Sequence, residues 1–321
     1  MNALAPDTSH NSSFSKAMPG LQLAIDSTSL GEFKLCPKRY YYSIVLGYQP
    51  RAESVHLKFG ILLHQAREHY EHARTGGQDH DSALDHALDL ALRATWDQQL
   101  NKPWVSDHKQ KHRLSLIQTI VWYLDAKAKD DPLRTITLAN GKPAVELSFR
   151  FDSGWRSQST GEPILFCGHL DRLAEFNSEY YIPDIKTTSH SLDPNWFASW
   201  SPGNQFSMYS LAGKVAFGLE IKSIIVDGIQ VGSGFSRFMR APVERKPETI
   251  DEWYAETGVW LGQMDECAAK GQWHMNDKSC DAFGGCPFRP VCSRPPSARE
   301  AWLKKDYAKR VWDPLQIRGD V

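Results

Sequence analysis

The sequence predicts an α/β fold, a mixed central sheet flanked by helices, and three patterns point there. Helical spacing dominates residues 56–129, strict alternation sets in at Val145, and a helical stretch over 204–217 separates two groups of strands. Residues 1–20 are polar, contain proline and lack periodicity, which predicts a flexible arm before structure begins near Leu21. Ser27-Thr-Ser-Leu30 offers a helix cap, and Leu30, Phe33, Tyr40 and Tyr41 follow as apolar positions around Cys36-Pro37. That describes a short helix or pair of turns in an N-terminal segment over 21–55.

From His56 to Arg74, Leu57, Ile61, Leu62, Ala66 and Tyr70 recur at helical spacing, so an amphipathic helix carrying His64 and Glu68 opens a core over 56–270. Further helices at 81–100 and 107–129 form a helical insertion at 76–130. Val145, Leu147 and Phe149 then alternate with Glu146, Ser148 and Arg150, as in a half-buried strand. Strands are expected at 164–176, 179–186, 221–231 and 235–241, and a last core helix at 247–270. A cysteine-rich segment over 271–300 and a tail over 301–321 follow. Internal repeats and low-complexity tracts are absent from the sequence.

With 41% hydrophobic and 23% charged residues in 321, the composition is that of an ordinary globular protein and sets aside disorder and fibre classes. No stretch approaches the ~20 apolar residues of a membrane helix, and the first twenty residues lack the apolar core of a signal peptide. The expectation is a cytoplasmic protein of a bacterial or phage-infected cell, without a membrane partner. A net charge of −1 gives no global attraction to nucleic acid, so DNA binding would need a local basic surface and metal ions that neutralise phosphate.

Asp171 and Asp184 stand thirteen residues apart, which fits two adjacent antiparallel strands joined by a turn around Asn177-Ser178, with both carboxylates at one end of the sheet. Two carboxylates and the Ile185 carbonyl make a partial shell for Mg²⁺ or Mn²⁺, which prefer hard oxygen ligands and retain water. Lys186, two positions after Asp184, shares its face of the strand, where an ammonium can hold the attacking water and offset charge on phosphate oxygens. Taken alone, Asp-x-Lys is more often a surface charge pair.

Cys280, Cys286 and Cys292 are spaced six residues apart in a segment whose glycines and prolines let it curl around a small object, with a fourth ligand needed from elsewhere. Four thiolates fit a [4Fe–4S] cluster or a tetrahedral zinc; the paired Cys-x-x-Cys knuckles usual for zinc are missing, which favours the cluster. Cys167 and Cys267 read as buried thiols.

Four segments carry a family resemblance: Phe59-Gly-Ile-Leu-Leu-His64, Gly168-His-Leu-Asp-Arg172, Pro183-Asp-Ile-Lys-Thr-Thr188 and Gln205-Phe-Ser-Met-Tyr209. Together they resemble the RecB-like branch of the PD-(D/E)XK nuclease superfamily, which includes nucleases of CRISPR adaptation and AddB-type helicase-nucleases. The resemblance implies a restriction-endonuclease-like fold, with His64, Asp171, Asp184 and the Ile185 carbonyl on the metal, His64 tending to favour Mn²⁺, and Lys186 catalytic. It implies that Gln205 and Tyr209 contact DNA and that Glu146 is an outer-shell or second-metal carboxylate, a solvated strand position being the alternative. It also makes Cys36 the fourth cluster ligand, since iron-sulfur members use one cysteine before the core and three after it, so that the cluster clamps the two ends of the chain.

The activity so implied is a metal-dependent DNA exonuclease acting 5′ to 3′ on ends or single strands in recombination, repair or phage DNA metabolism, with a helicase or recombination protein as partner. The competing reading is a non-catalytic DNA-binding or scaffold subunit of the same fold, and an RNA substrate is a lesser alternative. The run His108-Lys-Gln-Lys-His-Arg113 is placed to line a strand-binding channel, although such runs are more often simply solvated.

Overall fold

The structure, a computed structural model, describes residues 13–310 and 312–317. Of the flexible arm expected over 1–20, residues 1–12 lie outside the described residues. From Ser13 onward the chain is packed. Ser13 and Ser15 are buried, Phe14 bridges to Gln22, the Ser15 amide donates to Leu21 O at 2.9 Å and its hydroxyl to Glu162. Composition hides such pairings, because they join short polar groups to partners distant in sequence.

β1 (Ala24–Ile25) leads into α1 (Ser27–Leu35), whose cap is Asp26 rather than the expected serine; its carboxylate accepts the Ser29 amide at 2.9 Å. α2 (Pro37–Tyr40) continues into one π-helical turn (Tyr41–Val45) and β2 (Tyr48–Pro50). Next come α3 (Val55–Thr75), capped by Ser54, and α4 (His80–Ala94), capped by Asp79. The ribbon β3 (Trp96–Asp97) with β4 (Lys102–Pro103) precedes α5 (Arg113–Asp130). α5 starts later than its periodicity suggests because His112 and Ser115 form a reciprocal capping box, which leaves His108–His112 in the preceding loop.

β5 (Arg134–Thr135), β6 (Val145–Arg156), β7 (Pro163–Arg172), β8 (Ala174–Phe176) and β9 (Glu179–Thr188) follow. α6 (Pro194–Ala198) and α7 (Asn204–Phe217) precede the hairpin of β10 (Ile221–Val231) and β11 (Ser236–Val243). α8 (Pro247–Lys270), ended by Gly271 at φ +61°, α9 (Arg289–Cys292), α10 (Pro296–Asp306) and β12 (Tyr307–Lys309) complete the order.

The single central sheet is a point of difference. Five strands pair in the order β11-β10-β9-β8-β5 and three in the order β1-β7-β6. The Asn177-Ser178 turn is where expected, with φ of 51° and 62° as a two-residue hairpin turn requires, but it joins β9 to β8 and not to β7. The chain leaves the ladder at Leu173, so Asp171 and Asp184 sit on the two arms of a fork rather than on paired strands. β9 runs parallel to β10, with Asp184 opposite Val226 and Lys186 opposite Gly228.

β9 is buried on both faces. Ile182 joins the main core with Phe33, Phe166, Phe206 and Val226, whereas Ile185 joins a second core formed by α3, α4 and α5 with Ile229 and Val231. Asp184 and Lys186 therefore face the α7 side, and Ile185 and Thr187 face α3. A third, small core packs Tyr42 and Tyr48 against Phe288, Val291, Leu303 and Tyr307, and β2 pairs antiparallel with β12 above it. Among the described residues no helix is long and apolar enough to cross a membrane.

Candidate active site

Three side chains meet at the mouth of the fork. One ligand atom each from His64 on α3, Glu146 on β6 and Asp171 on β7 lie within 4.8 Å of one another. His64 Nδ1 stands 3.4 Å from Glu146 Oε1 and 3.4 Å from Asp171 Oδ2, while Nε2 stands 3.2 Å from the Ile185 carbonyl oxygen. Asp171 Oδ2 also accepts the Ile185 amide at 3.0 Å, so one carboxylate ties the two arms together. Gly168 is needed just below: a Cβ there would lie 2.9 Å from the Phe149 ring, which crosses the β6-β7 pair at that position.

Glu146 enters through its backbone. It has φ of +47°, a conformation that costs a non-glycine residue about 1–2 kcal/mol, and it drops out of the ladder between Val145↔Arg172 and Leu147↔Leu170. Its carboxylate is thereby turned inward to 9% exposure, so the solvated alternative does not describe it. Alternation alone would aim it outward.

Asp184 is placed differently from the expected shared shell. It is wholly buried, and Lys186 Nζ lies 2.6 Å from its Oδ2, yet neither carboxylate oxygen accepts a well-directed hydrogen bond among the described residues. Burial pushes its pKa up, against the pull of Lys186, and Asp171 raises it further. The Lys186 ammonium also lies 5.2 Å from the centre of the Trp200 ring and 5.8 Å from that of Phe206. Those rings confine it without neutralising it. Trp200 was not foreseen; the density of tryptophan in Trp196-Phe-Ala-Ser-Trp200, between two motifs, was the available signal.

Burial pulls the His64 pKa down, but Asp171, Glu146 and Asp184 outweigh it and raise it to about 9. An imidazolium among three carboxylates holds the place that a cation would take. The donors themselves, carboxylate oxygens, a carbonyl and one imidazole, suit a hard or borderline divalent ion, and the unsatisfied Asp184 carboxylate fits the same need.

On α7, Gln205 Nε2 donates to the Tyr209 hydroxyl at 2.8 Å. Burial, then Asp184 and Asp171, hold the Tyr209 pKa well above its usual value, which places it at the same site and keeps it protonated. Arg172, next to Asp171, belongs to a buried network: it pairs with Glu71 and Asp131 at 3.9 and 3.4 Å, and Arg240 joins Asp131 to Asp227 at 2.5 and 2.6 Å. This network fixes α3, α5 and the ends of β7, β10 and β11 relative to each other.

All six cysteines are free thiols. Cys36 is buried and its Sγ accepts the Asn276 amide at 3.3 Å, while Cys286 and Cys292 pack against the third core. Burial raises the pKa of Cys292, and Cys286, Cys36 and Cys280 all act on it electrostatically, so the other three thiols of the expected set lie within electrostatic reach of it. Cys167 and Cys267 are also buried, outside that set.

Among known proteins, a solved structure of a presumed exonuclease from Eubacterium rectale aligns over 92% of this chain and 97% of its own, at 11% identity and a TM-score of 0.50. That likeness is one of fold. A structure of a protein designated SSO0001 aligns at a TM-score of 0.30 and 10% identity over 74% of this chain and 76% of its own, too loosely to carry an argument. No curated protein matches. The family model of the PD-(D/E)XK nuclease superfamily matches residues 27–293, a span that holds the fork, α7 and the four thiols of that set. On that match, the chain belongs to the PD-(D/E)XK nuclease superfamily.

Proposed function

We propose that the protein is a metal-dependent deoxyribonuclease of the RecB-like branch, an exonuclease acting on DNA ends or single strands in the cytoplasm, in recombination, repair or phage DNA metabolism beside a helicase or recombination protein. The observation that carries this reading is the convergence of His64, Glu146 and Asp171 beside the buried Asp184–Lys186 pair. His64, Glu146, Asp171, Asp184 and the Ile185 carbonyl are the groups to hold Mg²⁺ or Mn²⁺. Such an ion supplies Lewis-acid polarisation of the phosphate and makes water a better nucleophile at neutral pH.

The protein's own groups supply the rest. Lys186, confined by Trp200 and Phe206, sets its amino group beside Asp184, where it can hold a water and offset charge on the phosphate oxygens. Tyr209 receives a hydrogen bond from Gln205 and retains its own proton, which it donates to an oxygen of the strand. His64 must release its proton before its nitrogen can serve as a ligand, so ion and proton compete there.

In the same proposal Cys36, Cys280, Cys286 and Cys292 hold a [4Fe–4S] cluster, with zinc as the other occupant of such a set. Its role is structural, because the cysteines lie beside the third core and away from the fork. A brown protein with iron and sulfide in stoichiometric amounts is expected; stoichiometric zinc without colour would overturn the cluster.

The activity is tested on protein purified without oxygen, given Mn²⁺ or Mg²⁺ and single strands labelled at the 5′ or 3′ end, beside Lys186→Ala. The variant should cleave slower by a factor on the order of 10²–10³. Equal cleavage by both proteins would overturn the assignment, and tight DNA binding without cleavage would favour the non-catalytic subunit.

A further inference from the structure

Lys111, in the loop before α5, is the point of departure. The residue is 2% exposed, yet among the described residues no carboxylate pairs with it and burial is the one influence acting on its charge. Its ammonium donates to the Thr187 hydroxyl at 2.9 Å and lies 5.5 Å from the centre of the Phe59 ring. Buried charges are ordinarily paired, and a buried cation without a counter-charge marks a place where an anion is missing. Burial pulls the Lys111 pKa down only to about 8, which leaves most of it charged at neutral pH.

The surroundings suit an anion. His56, His108 and His190 stand close enough for Lys111, His108 and His190 all to act electrostatically on His56, and the His56 and His108 rings meet edge to face at 4.8 Å. His56 and His190 are exposed and His108 is half-buried, so the cluster extends from a buried lysine to imidazoles that solvent reaches. Thr187 follows Lys186 directly but points to the α3 face of β9, which puts this cluster next to the fork without merging with it.

A path joins the two. His56, Gly60 and His64 recur every fourth residue on α3, so they form one stripe of the helix about 12 Å long. Gly60, in the middle, has nothing within 4 Å of where a Cβ would stand. A glycine inside a helix costs roughly 0.5–1 kcal/mol relative to alanine, and here no neighbour in the chain requires it. The bare backbone leaves open space on the stripe between the candidate metal ligand His64 and the cluster, beside exposed Leu57 and Ile61.

We propose that Lys111, Thr187 and the three histidines form a second phosphate-binding subsite, which holds a phosphate of the nucleic-acid strand beyond the scissile one as the strand passes over Gly60. This rests on the nuclease reading above and assigns the strand's path and a contact for it. A terminal phosphate monoester and an internal diester share the required chemistry.

The test is equilibrium binding of fluorescent single strands by the full chain in EDTA, so that nothing is cut, over a series of salt concentrations. Lys111→Met should bind about tenfold more weakly, and its plot of log affinity against log salt should flatten by about 0.7, the value for one phosphate contact to a single strand. Gly60→Leu keeps every subsite group and its Cβ meets no neighbour, so it should fold as the parent does, which circular dichroism checks, and also lose about tenfold. A loss confined to strands with a 5′- or 3′-phosphate assigns a terminal phosphate, and an equal loss on hydroxyl-ended strands assigns an internal one. Unchanged affinity and slope in both variants would overturn the subsite while leaving the parent's cleavage, and so the nuclease reading, intact. A parent protein that neither binds nor cuts would remove both.

Discussion

At the scale of single residues, the candidate site accepts local costs in order to gather negative charge. Glu146 adopts a left-handed backbone to bring a third carboxylate toward His64 and Asp171. Glu146→Gly should therefore leave stability equal or raise it by about 1 kcal/mol, since glycine adopts that backbone freely, while metal-dependent cleavage is lost; calorimetry beside an endonuclease and exonuclease assay separates the two. His64 gives a prediction in pH. In metal-free protein its pKa is raised from 6.5 to about 9, so its contribution to stability is fully present below about 6.5 and fades as pH rises through about 9. Denaturant midpoints measured in EDTA over that window should fall for the parent, and the fall attributable to this group should vanish in His64→Gln. His64, Asp171, Asp184 and Lys186 could be picked out as candidates from the sequence because each sits in a short local pattern. The placement of Glu146 was not legible, because it depends on a φ angle that alternation assumes to be ordinary.

At the scale of elements, helices were read well wherever apolar spacing was sustained, as in α3 and α7, because that period reports a buried face directly. Ends were read less well. α1 and α5 begin where Asp26 and His112 cap them, and a histidine cap is rarely anticipated from sequence. The division of the sheet was not legible at all, since pairing partners are settled by tertiary packing and the break at Leu173 carries no turn residue. The β8-β9 hairpin was found because Asn177-Ser178 supplies its turn chemistry. The seat of α7 on β10 is tight: a Cβ on Gly213 would fall 2.2 Å from Ile221 Cγ1. Gly213→Ala should therefore destabilise by about 1–3 kcal/mol through overpacking, and Ile221→Val in the same chain should recover part of that loss in thermal unfolding.

At the scale of the whole molecule, the segments before and after the nuclease core are joined by protein contacts, beside which the proposed cluster would be a further tie. Sequence spacing suggested only the thiols. The structure adds the β2-β12 ribbon, the Asn276 side-chain amide donating to Leu35 O at 3.0 Å, and the apolar cluster of Tyr42, Phe288, Leu303 and Tyr307. Cys280→Ser should accordingly lose iron and colour yet keep its far-ultraviolet circular dichroism and the slow hydrogen exchange of β2. Leu303→Ala, which leaves the thiols in place, should lower stability by about 2–5 kcal/mol.

The β2-β12 ribbon also bears on the order of events during synthesis. Among the described residues β2 pairs with β12 alone, and the two strands lie far apart in sequence, so this contact has very high sequence separation and cannot form until β12 has been made. Until β12 has cleared the ribosome, the third core is half built and the cysteine segment lacks its backing. The finishing of this region therefore waits on the synthesis of β12, whatever has already folded between the two strands.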